Sequence, residues 1–588
     1  MQRVESVAPA PRPIPLSMIF LAALVVHLPL LLMKLPLKSY DANFHIFFAS
    51  HYLHNWFDPW NPKWYAGFSQ TTYPPLPQQW LALISRLIGL DMAYMAIQFA
   101  AILLLALGIY RFSLLWVDRR SASFAALASV FLGSECFLVY SAGQLSTTFA
   151  APLYLNALPY LFQWVRHGKW RAFLKGGALF VAAAAAHHVT LLFGSFLFAL
   201  PVLALVIFDR QTADRQDGER VSAPAFLVRT GSIILVVGTA VAVVLLPFWL
   251  ALIHYPVTQT PIPHPSRANY LLSPQWGLNY FLAPYGALIL ALPFIFLRGS
   301  SIARLRPLLL GFWVAFLVGL GGTTPVGHLV LGRAFDVLTM ERFSYWATLL
   351  ALPFVGLLST ALIDRFQLRA VAGLTIAAGL SCALAVSWAT YRPADAADFK
   401  VNAVASWLNR DGHDRYRYVT LGFGNKISRL AVLTNASSVD GEWNSGRMLP
   451  ELTQHGAGAL TSSKYFGKPG LDALSAILHH ADLYGLKWVF LRDPYYEPLL
   501  VFGGWRRVDE LEDKTITVWS KEDVPPAVAV NAPQIPPRWQ GLLWGTLPIG
   551  SSILALLFVS IPERRWHGRR VVKPYAADQD LVLGRLAS

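Results

Sequence analysis

The sequence predicts a polytopic α-helical membrane protein with about twelve transmembrane helices. Of its 588 residues, 55% are hydrophobic and only 14% are charged, whereas a soluble domain has about 25% charged residues. Apolar runs of about 20 residues recur along the chain, and Arg or Lys residues follow them. The net charge of +15 is concentrated in the short loops between these runs, as the positive-inside rule requires. Since no basic soluble face results, the composition excludes a nucleic-acid-binding protein.

The first predicted span, 14–34, follows a polar N-terminal segment. No small-residue cleavage site comes after it, so we expect an uncleaved helix with its N-terminus in the cytoplasm. The segment 76–90 is apolar but short and contains Arg86, so it predicts an interfacial helix that does not cross. Leaving it out of the count places every basic loop on one side of the membrane. The other predicted spans are 92–117, 121–141, 146–165, 172–187, 189–208, 230–253, 280–297, 307–322, 345–363, 370–390 and 540–561.

Residues 391–535 lack the composition of a membrane segment. They are polar and mixed in charge, with helix-like sequence at 469–482 and strand-like sequences at 486–492 and 515–520. This pattern predicts a small extracytoplasmic α/β domain. The expected division is a transmembrane domain at 1–390 with a first outer loop at 35–80, the α/β domain at 391–535, and a final transmembrane helix with a basic cytoplasmic tail at 536–588.

Several common functional motifs are missing from the sequence. The two cysteines, Cys136 and Cys382, each fall in an apolar span, which favours small core residues over a disulfide or a metal site. There is no G-x-x-x-x-G-K-[ST] phosphate loop, which weighs against ATP hydrolysis. There is also no internal repeat, which weighs modestly against a secondary transporter.

The first outer loop carries the densest group of acidic, imidazole, amine and aromatic side chains. Asp41 and His45 are four residues apart, so a helix would place them on one face. Phe44, Phe47 and Phe48 would give that helix an apolar side, so we expect it to lie along the membrane surface with Asp41 turned towards a cavity. A carboxylate here can act as general base for a hydroxyl group or help to hold a divalent cation. His45 can orient it or bind a phosphate. The alternative is that Asp41 only caps the helix that follows.

Two aromatic turn segments, 60–67 and 73–76, complete this loop, and Tyr73 opens the second. Trp and Tyr favour the membrane interface, so an aromatic belt explains part of the pattern. Lys63 can pair with a lipid phosphate, although an interfacial lysine is more often a snorkelling side chain.

His187 and His188 are adjacent at the predicted outer end of two short spans. A histidine in a membrane protein is usually a hydrogen-bonded core residue, but ionisable groups within a membrane are also functional candidates. Adjacent positions point the two rings in different directions, so we do not expect a zinc site.

Glu341 and Arg342 lie where the second outer loop, 323–344, leads into a span. Arg342 suits a phosphate clamp because a guanidinium matches the geometry of a phosphate. The alternative is a salt bridge from Arg342 to Glu341 or Asp336 that closes the loop. In the predicted α/β domain, residues 440–447 combine Trp with acidic side chains, which suits either sugar recognition or an ordinary surface loop.

The whole arrangement resembles a known superfamily. A first helix, an outer loop with an early acidic residue, a Tyr-Pro-Pro-Leu segment at 73–76, about a dozen spans and a C-terminal extracytoplasmic domain resemble the GT-C integral-membrane glycosyltransferases. More narrowly, segments 41–45, 60–67, 73–76 and 341–343 resemble a bacterial and archaeal group of membrane proteins that is labelled as related to 6-pyruvoyl-tetrahydropterin synthase. The resemblance covers roughly 14–390.

The resemblance implies an inner-membrane enzyme of cell-envelope polysaccharide synthesis. It would transfer a sugar, with inversion, from a polyprenyl-phosphate donor to a glycan, lipid or protein acceptor outside the cytoplasm. Asp41 would be the catalytic base, and basic side chains would stabilise the leaving phosphate. The candidate substrate-binding residues are His45, Lys63, Tyr73, His187, His188, Glu341 and Arg342. Many members carry paired acids where this chain has Asp41-Ala42-Asn43, so the participation of a divalent cation stays open.

Two other functions fit the sequence. A transporter or lipid flippase would use ionisable groups within the spans, of which Glu135 and His27 are examples. A non-catalytic scaffold for envelope polysaccharide assembly would use 391–535 as its binding module.

Overall fold

The computed structural model describes residues 12–208, 221–254, 263–391, 399–455, 458–530 and 534–562. Helices lie at all twelve predicted spans. In the described ranges, eight helices are long and apolar enough to cross a membrane, so this is a multi-pass membrane protein. The total of about twelve crossings stays a prediction. The basic tail from residue 563 onwards lies outside the described residues.

Within its described residues, the first half of the membrane part contains twelve α-helices and one short two-stranded ribbon. Their bounds are α1 Leu16–Leu32, α2 Ala42–His54, β1 Trp60–Asn61, β2 Phe68–Ser69, α3 Leu76–Ile88, α4 Leu90–Ser113, α5 Arg119–Val130, α6 Gly133–Phe137, α7 Leu145–His167, α8 Trp170–Ala186, α9 His188–Gly194, α10 Leu200–Phe208, α11 Ala223–Val244 and α12 Leu246–His254.

The second half of the membrane part continues with α13 Pro274–Gly277, α14 Ala283–Tyr285, α15 Leu292–Ser301, α16 Arg306–Gly319, α17 Val326–Leu331, α18 Glu341–Phe366 and α19 Leu368–Tyr391. Helix α18 is central because it packs along both α5 and α16. Its first residues, Glu341 and Arg342, are therefore held firmly at one end of the helix bundle.

The short helix α3 matches the predicted interfacial helix. It begins after Pro75 and has Pro77 in its first turn, where a missing backbone N–H is tolerated. One face buries Leu81 and Ala82, while Arg86 is exposed. The segment is thus amphipathic and only 13 residues long, too short to span a bilayer core of about 30 Å.

The C-terminal part combines a four-stranded sheet with short helices. Its elements are α20 Asn402–Leu408, β3 Arg417–Leu421, α21 Lys426–Leu433, α22 Pro450–Gln454, α23 Gly467–His479, α24 Ala481–Tyr484, β4 Leu486–Leu491, α25 Glu497–Phe502, β5 Arg506–Leu511 and β6 Ile516–Ser520, followed by the apolar helix α26 Arg538–Ser560. The strand order is β3-β4-β6-β5, with β3 and β4 parallel and the other pairs antiparallel. We call residues 399–530 the sheet domain.

The sheet domain and the first loop share one hydrophobic core. Phe47 and Trp64 of the loop stack at 3.9 Å between ring centroids, and both belong to the same buried cluster as Val419 and Leu474 of the sheet domain. The backbone N–H of Ser438 donates to the carbonyl of Lys63 at 2.7 Å. The aromatic side of α2 therefore packs against the sheet domain, whereas the sequence predicted that this side lies along the membrane surface.

Helix α21 anchors the sheet domain to the membrane part. Arg429 on this helix pairs with Asp91 at the start of α4, with N–O distances of 2.8 and 3.2 Å. Asn425, just before the same helix, donates to the carbonyl of Tyr40 at 3.3 Å. The first loop is thus enclosed between the helix bundle below and the sheet domain above.

Two polar pairs lie deep among the membrane helices. His27 contacts the Tyr140 hydroxyl at 2.7 Å and the Val130 carbonyl at 2.8 Å, so both of its ring nitrogens are engaged in packing α1 against its neighbours. Cys136 and Cys382 are buried, as predicted for core residues, and their sulfur atoms lie 3.7 Å apart. The sequence did not indicate that these two cysteines meet.

Candidate active site

Asp41 occupies the N-cap position of α2, but its side chain makes no capping hydrogen bond. Its backbone N–H donates to the carbonyl of Ala142 at 2.9 Å, and Tyr40 bonds in the same way to Ser141. Residues 40–41 of the first loop are therefore joined by two backbone hydrogen bonds to residues 141–142, just before α7. Since the carboxylate is not used as a cap, it is available for a catalytic role.

The close approach of these two segments depends on Gly143. This residue has φ +74°, and a Cβ atom there would lie 2.5 Å from the Ser39 hydroxyl and 2.9 Å from the backbone nitrogens of Asp41 and Ala42. Only glycine combines this conformation with so little volume. Gly143 thus sets the position of the Asp41 backbone.

The surroundings of Asp41 favour its protonated form. Burial raises the pKa of this carboxyl to about 7, the positive charge of Arg342 opposes the rise, and the negative charge of Glu341 adds to it. A carboxyl group with a pKa near neutrality can both take up and release a proton at physiological pH, which is the property of an effective general base.

Gln144 connects Glu341 to Arg342. Its side-chain N–H donates to Oε1 of Glu341 at 2.6 Å, and its carbonyl oxygen accepts from Nε of Arg342 at 3.1 Å. In the described ranges, neither of the two salt bridges that the sequence offered for Arg342 forms, and Asp336 instead accepts through its backbone carbonyl from Arg267. The Arg342 side chain is half-buried, and among the described residues its terminal amino groups make no hydrogen bond.

His187 and His188 lie at the break between α8 and α9. Nδ1 of His187 is 2.8 Å from the Thr190 hydroxyl, and the charge of Arg342 is within electrostatic reach of both rings. The His188 ring packs on Phe248 at 4.8 Å between centroids, and its Nδ1 has no hydrogen-bond partner among the described residues. The structure thus brings both predicted histidines towards Arg342.

Tyr73 also lies at this site, and the His45 ring is 6.2 Å from the Tyr73 ring between centroids. The Tyr73 hydroxyl donates to Ser146 at 2.9 Å, two residues after Gln144. The His45 ring is buried and shares a 2.8 Å hydrogen bond with the Gln78 side-chain amide. Burial lowers the pKa of His45 to about 3, so the ring is neutral, and its contacts support the loop without reaching Asp41.

Lys63 is engaged elsewhere. Its ammonium donates to the carbonyl of Thr434 in the sheet domain at 2.6 Å. Burial lowers the pKa of Lys63 to about 8. The contacts of this side chain therefore join the first loop to the sheet domain, whereas the sequence indicated a partner for a lipid phosphate.

Three residues of the site were missed by the sequence reasoning: Gly143, Gln144 and Tyr40. The short polar segment between the predicted spans 121–141 and 146–165 was the available signal for the first two. Tyr40, directly before Asp41 in the chain, is 56% exposed. Across the described residues there is no group of three or more His, Cys, Asp or Glu side chains arranged to hold a metal ion.

Comparison with known proteins identifies the fold. No protein-family model matches this sequence, and comparison with curated proteins finds no significant match. The Archaeoglobus fulgidus oligosaccharyltransferase tethered to an acceptor peptide has a TM-score of 0.52 at 12% identity, over 83% of this chain and 70% of that one. ArnT from Cupriavidus metallidurans bound to undecaprenyl phosphate has a TM-score of 0.50 at 14% identity, over 86% and 98%.

A third structure, the A. fulgidus oligosaccharyltransferase AglB with an inhibitory peptide and a dolichol-phosphate, has a TM-score of 0.50 at 12% identity, over 91% of this chain and 77% of that one. All of these proteins are GT-C glycosyltransferases. The fold expected from the first loop and the order of spans is therefore confirmed at the level of architecture.

Proposed function

We propose that this protein is a membrane glycosyltransferase that transfers a sugar from a polyprenyl-phosphate donor to an acceptor, with inversion at the anomeric carbon. The observation that carries the proposal is the arrangement of Asp41 and Arg342 in a GT-C fold. A carboxylate with no capping bond lies within electrostatic reach of a guanidinium whose terminal amino groups make no hydrogen bond to the described residues.

The reaction assigned to this pair is a single displacement. Asp41 accepts the proton of the acceptor hydroxyl as that oxygen bonds to the anomeric carbon. The bond from the anomeric carbon to the phosphate oxygen breaks at the same time, and the phosphate leaves with the bonding electrons. Arg342 stabilises the charge that develops on the phosphate, and Gln144 keeps the guanidinium in position through Nε.

The two histidines serve the same phosphate. His187 and His188 lie near the Arg342 charge, and a neutral imidazole can donate one hydrogen bond to a phosphate oxygen. Nδ1 of His188 has no hydrogen-bond partner in the described part of the chain. His188 is therefore the better candidate for direct contact, and His187 is the better candidate for a positioning role through Thr190.

An apolar cavity supports a lipid-linked donor. It has a volume of about 320 Å³ and lies between α8, α11 and α26, with Phe173, Val181, Val244 and Leu547 among its lining residues. One wall is the helix that ends at Ala186, directly before His187. An isoprenoid chain in this cavity would lead towards the phosphate-binding side chains. Solved structures with this fold hold undecaprenyl phosphate and a dolichol-phosphate, which supports the same class of donor here.

The distribution of basic residues supports an orientation of the protein in the membrane. The short loops that carry Arg and Lys fall on one side in the predicted topology, and the first loop and the sheet domain fall on the other. We therefore place the reaction on the extracytoplasmic face of an inner membrane, with 391–535 as an extracytoplasmic domain between the transmembrane domain at 1–390 and the final helix at 536–588. Cell-envelope polysaccharide synthesis is the process that this location fits.

The test is donor cleavage by the purified full-length protein in proteoliposomes. A panel of undecaprenyl-phosphate-linked hexoses, amino sugars and pentoses is supplied with cell-envelope extract as acceptor, and released undecaprenyl phosphate is measured. We expect wild type to consume at least one donor and Asp41→Asn to abolish this, with no change in thermal unfolding. The matched control is Asp58→Asn in the same loop, because Asp58 is exposed and an asparagine oxygen can still accept from the Trp60 N–H.

Three outcomes would contradict the proposal. Full activity of Asp41→Asn would show that Asp41 is not the catalytic base. Movement of the lipid across the bilayer without a covalent product would favour a flippase. Consumption of no donor, together with partner binding that is lost when the sheet domain is removed, would favour a scaffold.

A further inference from the structure

A loop of the sheet domain packs against Tyr73, which is within electrostatic reach of Asp41. We call residues 440–447 the roof loop. Its base is fixed by Asp440, which is fully buried and accepts from the backbone N–H of Thr461 at 2.8 Å. Beyond this anchor, Glu442, Trp443 and Asn444 are partly exposed, whereas Ser445, Gly446 and Arg447 are buried.

Two glycines allow the roof loop to approach the first loop closely. A Cβ atom at Gly441 would lie 2.7 Å from the Trp64 ring, and one at Gly446 would lie 2.9 Å from the Phe68 ring. Three partly exposed side chains, Glu442, Trp443 and Asn444, lie between these two contacts. The roof loop is therefore held against the first loop at both ends, and its middle keeps side-chain surface open to solvent.

Trp443 connects the roof loop to the site itself. Its indole N–H donates to the Thr72 hydroxyl at 3.0 Å, and its ring meets Tyr73 edge to face at 4.7 Å between centroids. Tyr73 in turn bonds to Ser146, next to the segment that holds Arg342. The indole is thus fixed in orientation while part of its surface stays open.

Glu442 brings a second carboxylate within electrostatic reach of Tyr40. The charges of both Glu442 and Asp41 act on the Tyr40 hydroxyl, whose pKa is raised by burial first and by these two acids next. Oε2 of Glu442 accepts a hydrogen bond from the Ser428 hydroxyl. The Tyr40 side chain is therefore within electrostatic reach of a carboxylate from the first loop and of one from the sheet domain.

We propose that the roof loop binds a sugar ring of a carbohydrate acceptor, with Trp443 and Tyr40 as aromatic surfaces and Glu442 as a hydrogen-bond acceptor for sugar hydroxyl groups. This inference rests on the proposed function and specifies its acceptor. Aromatic faces combined with a carboxylate match the apolar C–H faces and the hydroxyl edges of a pyranose or furanose. A sugar held in this way can direct a neighbouring hydroxyl group to Asp41, which removes its proton as the new glycosidic bond forms.

The experiment compares two classes of acceptor in proteoliposomes. The donor is the undecaprenyl-phosphate sugar that wild type consumes. The acceptors are gluco-, manno-, galacto- and arabino-oligosaccharides of three to six residues, and hexapeptides containing Ser, Thr or Asn, at equal concentrations. We expect at least one oligosaccharide, and no peptide, to accelerate release of undecaprenyl phosphate and to gain a sugar by mass spectrometry.

Variants of the roof loop then test the residues. Glu442→Gln should raise the KM for the oligosaccharide about tenfold, the loss expected for one charge-assisted hydrogen bond, with a smaller change in kcat. Trp443→Ala should raise KM further, and Trp443→Phe, which keeps the packing on Tyr73, should raise it less. The matched controls are Glu497→Gln and Trp539→Phe. Both side chains are exposed and belong neither to the roof loop nor to the first outer loop.

Failure of this inference is distinguishable from failure of the proposed function. Donor turnover stimulated by peptides alone, or an unchanged KM in Glu442→Gln, would overturn the carbohydrate assignment while leaving the transferase intact. If wild type consumes no donor, binding of the same oligosaccharides is followed by saturation-transfer NMR. Signal in wild type that is lost in Trp443→Ala would still support the site, and absence of signal in wild type would reject it.

Discussion

The side-chain carbonyl of Gln144 accepts a 3.1 Å hydrogen bond from Nε of Arg342, and this contact joins the start of α7 to the start of α18. The same amide donates to Glu341 at 2.6 Å. The neutral Gln144 side chain therefore lies between the Glu341 carboxylate and the Arg342 guanidinium, although these two residues are adjacent in sequence. Because Gln144 occupies only Nε, the outer edge of the guanidinium remains available for a phosphate.

The first prediction concerns this bridge. Gln144→Leu removes both hydrogen bonds and leaves the buried Glu341 carboxylate without its Gln144 partner. The expected cost is about 1–3 kcal/mol of unfolding free energy, together with a rise in the KM for the lipid-linked donor as Arg342 loses its fixed orientation. Thermal unfolding in detergent and donor cleavage in proteoliposomes measure the two effects.

Thr147→Val is the control for this substitution. It removes the 3.3 Å hydrogen bond that the Thr147 hydroxyl donates to the side-chain oxygen Oε1 of Gln144. The hydrogen bonds from Gln144 to Glu341 and from Arg342 to Gln144 stay in place. A donor KM that rises equally in both variants would argue against a specific role for the bridge.

The second prediction concerns pH. The pKa of Asp41 is raised to about 7, and a general base must be unprotonated. The value of kcat/KM should therefore rise about tenfold per pH unit below pH 7 and level off above it. Since the Arg342 charge lowers this pKa, Arg342→Gln should move the rising limb to higher pH, and Arg342→Lys should move it less. A profile that is flat from pH 5.5 to 8.5 would exclude Asp41 as the titrating base.

Local pattern was sufficient for the regular elements. Strands β4 and β6 begin and end within one residue of the predicted 486–492 and 515–520, because short apolar runs bounded by turn residues are encoded in neighbouring residues. The interfacial helix α3 followed from its proline start and its short length. Such features require no knowledge of the distant chain.

Tertiary partners were beyond the reach of local pattern. The sequence around Lys63 predicts an interfacial cation. In the structure its ammonium donates to the backbone carbonyl of Thr434, some 370 residues later. His45 follows Asp41 by four residues, yet the two side chains face different surroundings because Asp41 lies just before the first turn of α2. Gln144 carries no charge and lies between two apolar runs, so its role becomes visible only once α18 is placed beside it.

The third prediction tests helix packing. Cys136 and Cys382 lie 3.7 Å apart between sulfur atoms, close enough for oxidation to join them after a small adjustment. Copper–phenanthroline treatment should therefore remove both thiols from reaction with a maleimide-polyethylene glycol reagent after denaturation. Cys382→Ser should retain one reactive thiol under the same treatment. Two fully reactive thiols in oxidised wild type would mean that α6 and α19 do not pack as described.

The fourth prediction concerns Gly143 and separates two effects of a substitution there: strain in its left-handed backbone, and the contact of an added Cβ atom with the segment that carries Asp41. Gly143→Ala introduces a Cβ atom 2.5 Å from the Ser39 hydroxyl and 2.9 Å from the Asp41 backbone nitrogen, so the segment that carries Asp41 must shift. Gly412 has nearly the same angles (φ 74°, ψ 19°, against φ 74°, ψ 24° at Gly143), but a Cβ there meets only ordinary contacts at 3.5 Å. Gly412→Ala therefore pays only the left-handed strain of about 1–2 kcal/mol.

Comparison of the two variants isolates the effect on catalysis. Both should lower the unfolding temperature, but only Gly143→Ala should also reduce kcat strongly, because a displacement of the base by a fraction of an ångström weakens proton transfer. Donor cleavage and unfolding are measured on the same preparations, so that activity is compared among folded molecules. Equal kcat in the two variants would show that the tight contact at Gly143 serves stability alone and does not position Asp41.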